Sequence, residues 1–306
     1  MGHQHSHAPA PGGSGRGRLT AALCITLGIF LVQVIGAVVT GSLALLFDTV
    51  HVLTDAAGLA MALFAAVLTE RPATERRTWG WKRMEVLAAA LQSAVLLAVG
   101  VFVVVQAIGR LIDPEPVAGA ELVVFGAIGL LGNVVALLVL FGGSKTLNMK
   151  AAFLEVVNDA LGSVAVIVSA VVIMLTGWVR ADAIVAMLIG VLIMPRAVTI
   201  LRESLGVLLE TVPPGLDLTE VRRHIEAHPH VVRVHDLHAS RISTDLPILS
   251  VHVVLDDECF GDGHSAELLG EIQSCIAGHF EVSIEHSTIQ LEPLSHYRHE
   301  AEGFTV

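Results

Sequence analysis

Six long apolar runs occupy the first two-thirds of the chain, each near the ~20 residues needed to cross a bilayer as a helix. No charged side chain occurs from position 19 to 47, and Gly41-Ser42 breaks the run. This pattern predicts spans over 19–39 and 43–68. Further spans are predicted over 86–108, 122–141, 151–175 and 183–201. They are separated by a basic loop, by Asp113-Pro-Glu-Pro116 and by Gly142-Gly-Ser-Lys145. Pro195 predicts a kink near the end of the last span, because proline lacks the helical N–H. Beyond Glu210-Thr-Val-Pro-Pro214 the pattern changes to that of a small soluble domain. A helix over 218–227 places Leu218, Val221 and Ile225 on one face. Strands are predicted over 231–243, 248–255 and 282–291. A second helix over 265–280 aligns Leu268, Leu269, Ile272 and Ile276. The order α-β-β-α-β predicts a ferredoxin-like α/β domain.

The fold class is therefore a polytopic α-helical membrane protein with six transmembrane helices and a C-terminal ferredoxin-like α/β domain. The divisions are a His-containing tail (1–18), the helical domain (19–206), a linker (207–214), the α/β domain (215–293) and a second tail (294–306). The tail histidines are His3, His5 and His7. Composition agrees, with 54% hydrophobic and 15% charged residues and a mean hydropathy of +0.72. The net charge of −11 arises mainly in the last third, and no basic tract suits nucleic acid. Cys24, Cys259 and Cys275 are scattered, which suggests neither a disulfide framework nor a CxxC metal site. The first apolar run is too long for a signal peptide and is expected to remain as a span.

Orientation follows from the basic residues. Arg16, Arg18, Arg71, Arg76, Arg77, Lys82, Arg83, Lys145, Lys150, Arg196 and Arg202 fall on one side, and only Arg110 and Arg180 on the other. The positive-inside rule then puts both termini in the cytoplasm of a cell whose inner membrane carries the spans.

Ionisable groups are costly at membrane depth, so those that occur point to chemistry. Asp48, His51 and Asp55 share a stripe in the second run, and Glu155 and Asp159 in the fifth, at helical spacing. His51 is the only histidine between His7 and His224. Asp55 precedes Glu70 by 15 residues and Asp159 follows Lys145 by 14. At ~1.5 Å per residue both pairs lie roughly 20 Å from the inner boundary. His51, Asp55, Glu155 and Asp159 can therefore meet as a four-ligand N/O site for a divalent metal, with Asp48 in support. A merely structural hydrogen-bonded cluster is disfavoured, since three carboxylates without a cation repel one another. Eleven of the 15 histidines lie from His224 onward. Of these, His235, His252, His264 and His286, with Glu292, are candidate ligands in the α/β domain. The residues alone indicate a carrier of divalent metal, not an enzyme. The rivals are an intramembrane metallohydrolase, for which the chain lacks an H-E-x-x-H motif, and a membrane-anchored metal sensor.

These residues resemble the cation diffusion facilitators, which export zinc and related metals. The likeness lies in Ser42-Leu-Ala-Leu-Leu-Phe-Asp48, His51-Val-Leu-Thr-Asp55, Thr78-Trp-Gly-Trp-Lys-Arg-Met-Glu85, Asn148-Met-Lys-Ala-Ala-Phe-Leu-Glu155 and Asp159-Ala-Leu-Gly-Ser163. It continues through His235-Asp-Leu-His238, Ser250-Val-His252 and Thr288-Ile-Gln-Leu-Glu292. The resemblance implies a homodimer, metal–proton exchange with Zn2+ as the expected cargo, and transport ligands at His51, Asp55, Glu155 and Asp159. Mn2+, Fe2+, Co2+, Ni2+ or Cd2+ are the alternative cargoes. Zinc-exporting relatives commonly carry histidine where this chain has Glu155, which makes the set harder. The loop between the second and third spans holds Arg76, Arg77, Trp79 and Trp81, and no metal site is expected there.

Overall fold

The computed structural model describes residues 13–68, 73–141, 147–261 and 263–297. Six long helices come first: α1 (Gly13–Thr40), α2 (Leu43–Leu68), α3 (Arg83–Ile112), α4 (Gly119–Leu140), α5 (Leu147–Thr176) and α6 (Arg180–Leu208). Among the described residues, five are long and apolar enough to cross a membrane, and α2 contributes a shorter apolar stretch over Leu43–Thr54. Their surface is inverted relative to a water-soluble protein. Val38, Leu91, Leu138 and Leu192 are between 68% and 81% exposed, while Gln33, Asp48, Asn133, Asp159 and Asp182 are buried. That pattern suits helices solvated by lipid, whose polar groups must find partners inside the bundle.

Within this unit α4 packs on α1 and α5, and α2 packs on α1 and α5. Leu43, Leu45, Phe47, Leu122, Val166 and Ala186 belong to its apolar core. The α1–α2 turn depends on Gly41, whose φ of +68° lies in the left-handed region where a Cβ is strained. Beyond that turn Asp182, from the first turn of α6, caps α2. It accepts from the Leu43 backbone N–H at 2.7 Å and from the Ser42 hydroxyl. A carboxylate suits a helix N-terminus because it meets unpaired N–H groups and the positive end of the dipole. Arg110 of α3 joins this end, donating to the Gly41 carbonyl at 2.6 Å and pairing with Glu115 at 2.6 Å. Between α2 and α3, the Arg77 guanidinium stacks 3.4 Å above the Trp81 ring.

The chain divides into two compact units at Trp81/Lys82, Val86/Leu87 and Arg202/Glu203. The second contains α7 (Leu218–Glu226), β1 (Val231–Ser243), β2 (Leu246–Leu255), α8 (His264–Gly278) and β3 (His286–Pro293). A single 3-10 turn, Asp257–Phe260, precedes α8, and one helical turn, Leu294–Tyr297, follows β3. The sheet order is β1-β2-β3, with β1 antiparallel and β3 parallel to β2. Alternation along β2 sends Val251, Val253 and Leu255 into a core shared with Val221, Ile225, Leu268, Ile272 and Ile276 of the helices. His252 therefore projects from the opposite face.

The predicted order of elements agrees with the structure, and the differences are at boundaries. Helix α6 runs through Pro195 to Leu208 rather than ending near 201. Strand β3 starts at His286, because residues 282–285 form no ladder.

Candidate metal centres

The intramembrane centre begins with His51 on α2 and Asp159 on α5. His51 Nε2 lies 3.7 Å from Asp159 Oδ1, and the residues are 6% and 2% exposed. Two donors on one tetrahedral zinc stand about 3.4 Å apart, given bonds of ~2.0–2.2 Å. The spacing already approximates a shared coordination sphere. Asp55 and Glu155 lie one turn along the same two helices, and their side chains fall outside the described residues.

Asp48 occupies the adjoining turn of α2 and is partnered elsewhere. Gln33 of α1 donates its Nε2 to Asp48 Oδ2 at 2.6 Å. The carboxylate lies against Gly162 of α5, where a Cβ would be only 2.5 Å from Asp48 Oδ1. Beside it Asn133 of α4 donates to the Ser163 hydroxyl at 3.4 Å. Gln33, Asp48, Asn133 and Ser163 are all at most 3% exposed, so four helices contribute to this polar layer. The amide of Gln33 neutralises part of the cost of a carboxylate at this depth, since a hydrogen bond to a charged acceptor is among the stronger kinds.

The second centre lies on the outer face of the sheet. His235 on β1, His252 on β2 and Glu292 on β3 offer ligand atoms all within 4.8 Å of one another. His235 Nε2 is 3.1 Å from Glu292 Oε2, and His252 Nδ1 is 2.9 Å from Glu292 Oε1. The imidazole centroids stand 5.1 Å apart. Rings sharing a tetrahedral zinc have centroids about 5 Å apart, from Zn–N bonds of ~2.0–2.1 Å plus the ring radius. Glu292 is 1% exposed, and Gln290 donates to its Oε1 at 2.7 Å. An irregularity in β1 helps to aim these groups. His235 pairs with His252 but His238 pairs with Ser250, and Asp236 between them has a φ of +49°. Asp236 thereby reaches His238 at 2.9 Å and His252 at 3.7 Å. His264 and His286 lie outside the trio. His264 stands against His230, with centroids 5.6 Å apart.

Comparison with known proteins identifies the family. Residues 19–209 match the family described as cation efflux transmembrane domain. Residues 213–294 match the family described as cation efflux protein, cytoplasmic domain. The chain belongs to the cation diffusion facilitator family. It is 40% identical over 275 residues to the metal cation efflux system protein CzcD of Cupriavidus metallidurans, covering 90% of this chain and 85% of that protein. It is 38% identical over 293 residues to the zinc transporter ZitB of Escherichia coli, covering 95% and 91%. It is 32% identical over 299 residues to the cadmium, cobalt and zinc/H(+)-K(+) antiporter of Bacillus subtilis, covering 97% and 93%. A solved structure, the metal-bound C-terminal domain of the CzcD transporter, shares 38% identity over 25% of this chain and 99% of that chain, with a TM-score of 0.22. This facilitator is thus a multi-pass membrane protein of a transporter family, with a C-terminal domain of the cytoplasmic type.

Three supporting residues were not singled out from the sequence. Gln33 was discoverable as the one amide within the uncharged run from 19 to 47. Asp236 and Gln290 carry no such signal, because only strand pairing brings them to His252 and Glu292.

Proposed function

We propose that this facilitator exports a divalent metal, Zn2+ foremost, in exchange for protons by alternating access. The cargo would be held by His51, Asp55, Glu155 and Asp159. The observation that carries the reading is a buried imidazole 3.7 Å from a buried carboxylate, on two different helices of an apolar bundle. Ligands accept metal only when deprotonated, so protons and metal compete for the same lone pairs. A site open inward loads metal; once it is open outward, protons displace the ion. The sequence lacks an H-E-x-x-H motif, which favours a carrier over an intramembrane metallohydrolase. Zinc as cargo is supported by the names of the similar CzcD, ZitB and Bacillus proteins, two of which specify zinc. The basic-residue asymmetry supports cytoplasmic termini in a cell inner membrane.

His235, His252 and Glu292 fit a bound divalent cation, offering two imidazoles and a buried carboxylate at near-ligand spacing. We assign them a resident ion in a domain that also supports a homodimer. The test is flux into sealed proteoliposomes bearing an imposed pH gradient, across zinc, cadmium, cobalt, nickel, iron and manganese. Zinc accumulation that collapses when the gradient is dissipated is expected. Metal binding without accumulation would favour a sensor and overturn the transport reading.

A further inference from the structure

The helical layer of the cytoplasmic domain, on the other side of the sheet from His235 and His252, contains a second concentration of metal-ligand side chains. Glu271, Cys275 and His279 repeat at every fourth position along α8 and its C-cap, so they form one stripe. His224 and His228 repeat at the same interval where α7 ends. The two stripes face each other across a cleft of about 860 Å³, which all five residues line. His224 and His279 have ring centroids 5.7 Å apart, against about 5 Å for two imidazoles on one tetrahedral ion. His228 Nδ1 lies 3.8 Å from Glu271 Oε2 at the rim. The Nδ1 of His224 is shielded from solvent and has no hydrogen-bond partner among the described residues. Cys275 is 8% exposed, yet it stands outside the domain's apolar core cluster.

Leaving a buried imidazole nitrogen without a partner is destabilising. His224 shares its cleft with the Cys275 thiol and the His279 imidazole, donors that side-chain rotation can bring onto one cation. We propose that the α7–α8 cleft is a metal site for a borderline-soft divalent cation, ligated by Cys275, His224 and His279, with His228 and Glu271 at its rim. The donor set is one sulfur and two nitrogens, the composition that suits Zn2+, Co2+ or Cd2+ and disfavours Mg2+ or Ca2+. It differs in softness from both the intramembrane centre and the sheet centre, which offer only nitrogen and oxygen. A cysteine binds a divalent cation as its thiolate, so metal entry releases the thiol proton. An ion here ties α7, the first helix after the linker from α6, to α8.

The test uses the full-length protein in detergent, with the other two centres disabled by Asp159→Ala and His235→Ala, titrated anaerobically with Co2+. A thiolate-to-cobalt charge-transfer band with intense tetrahedral d–d bands is expected, bleached by added Zn2+. Cys275→Ser should remove the charge-transfer band. His224→Gln and His279→Gln should each weaken cobalt binding at least about tenfold, as even lesser disturbances of a metal site do. Absence of the band at saturating cobalt overturns the proposal, as does a band that survives Cys275→Ser. If Cys275→Ser does not fold, the two histidine variants decide, and unchanged cobalt affinity in both rejects the site.

Discussion

His51 and Asp159 are the residues to which the proposed transport assigns its central chemistry, and they are buried and stand 3.7 Å apart. The pair was legible from the sequence because ionisable groups inside apolar runs are so few that helical spacing alone aligns them. Asp48 was legible only as a member of the same stripe. Its partner Gln33 comes from another helix, and its seat against Gly162 depends on α2 and α5 approaching closely. Gly162→Ala should therefore displace the Asp48 carboxylate and lower metal flux. Its stability cost should be about 1–3 kcal/mol, the usual penalty for overpacking. Flux and thermal unfolding in detergent measure the two, and undiminished flux would show that Asp48 need not hold this position. Glu155 sets the hardness of the proposed ligand set. Glu155→His should raise the ratio of zinc to manganese transport, because imidazole suits zinc and carboxylate suits manganese. Competitive flux with both ions reads this directly, and an unchanged ratio would assign selectivity to another position.

The helices and strands were largely legible as elements, since long uncharged runs and period-2 or period-3.6 patterns leave few alternatives. Their ends were less so. Helix α6 continues past Arg202 and Glu203 to Leu208, because charged residues end an apolar span without ending a helix. The aliphatic content of residues 282–285 suggested strand, but Ile284 is buried in the domain core without a ladder partner. The cap of α2 was not legible at all, because Asp182 follows it by nearly the whole helical domain. Asp182→Ala strands the Leu43 N–H and the Ser42 hydroxyl at a site where the native carboxylate is 1% exposed. It should cost about 1–3 kcal/mol, with Asp182→Asn intermediate, as read by the unfolding temperature in detergent. An unchanged temperature for the alanine variant would mean that the cap contributes nothing. Where α3 begins and α6 has just ended, Arg83 and Glu210 pair at 2.9 Å with side chains 44% and 59% exposed. In this environment the pair is worth only ~0–1 kcal/mol, so its importance would be geometric. Arg83→Glu and Glu210→Arg should each reduce transport, and the double exchange should recover it. Normal transport by both single variants would uncouple the two positions.

Across the whole molecule, one sequence encodes two units with opposite solvents. The helical unit exposes aliphatic side chains and buries its amides and carboxylates. The cytoplasmic-type domain buries Val251, Val253, Ile272 and Ile276, groups His235 and His252 beside Glu292, and lines the α7–α8 cleft with His224, His228 and His279. That contrast was visible in the sequence as a change of hydrophobic period near the Pro213-Pro214 linker. The grouping of His235, His252 and Glu292 was not, because it depends on the antiparallel register of β1 with β2 and the parallel register of β2 with β3. The central claim is that cargo crosses the bundle between α2 and α5. Zinc flux into sealed proteoliposomes under an imposed pH gradient, compared for the unmodified protein, Asp55→Ala and Asp159→Ala, tests that claim most directly. Gradient-dependent zinc accumulation is expected for the unmodified protein, and none for either variant, although both fold and insert. Accumulation at the unmodified rate by either correctly inserted variant would contradict that claim.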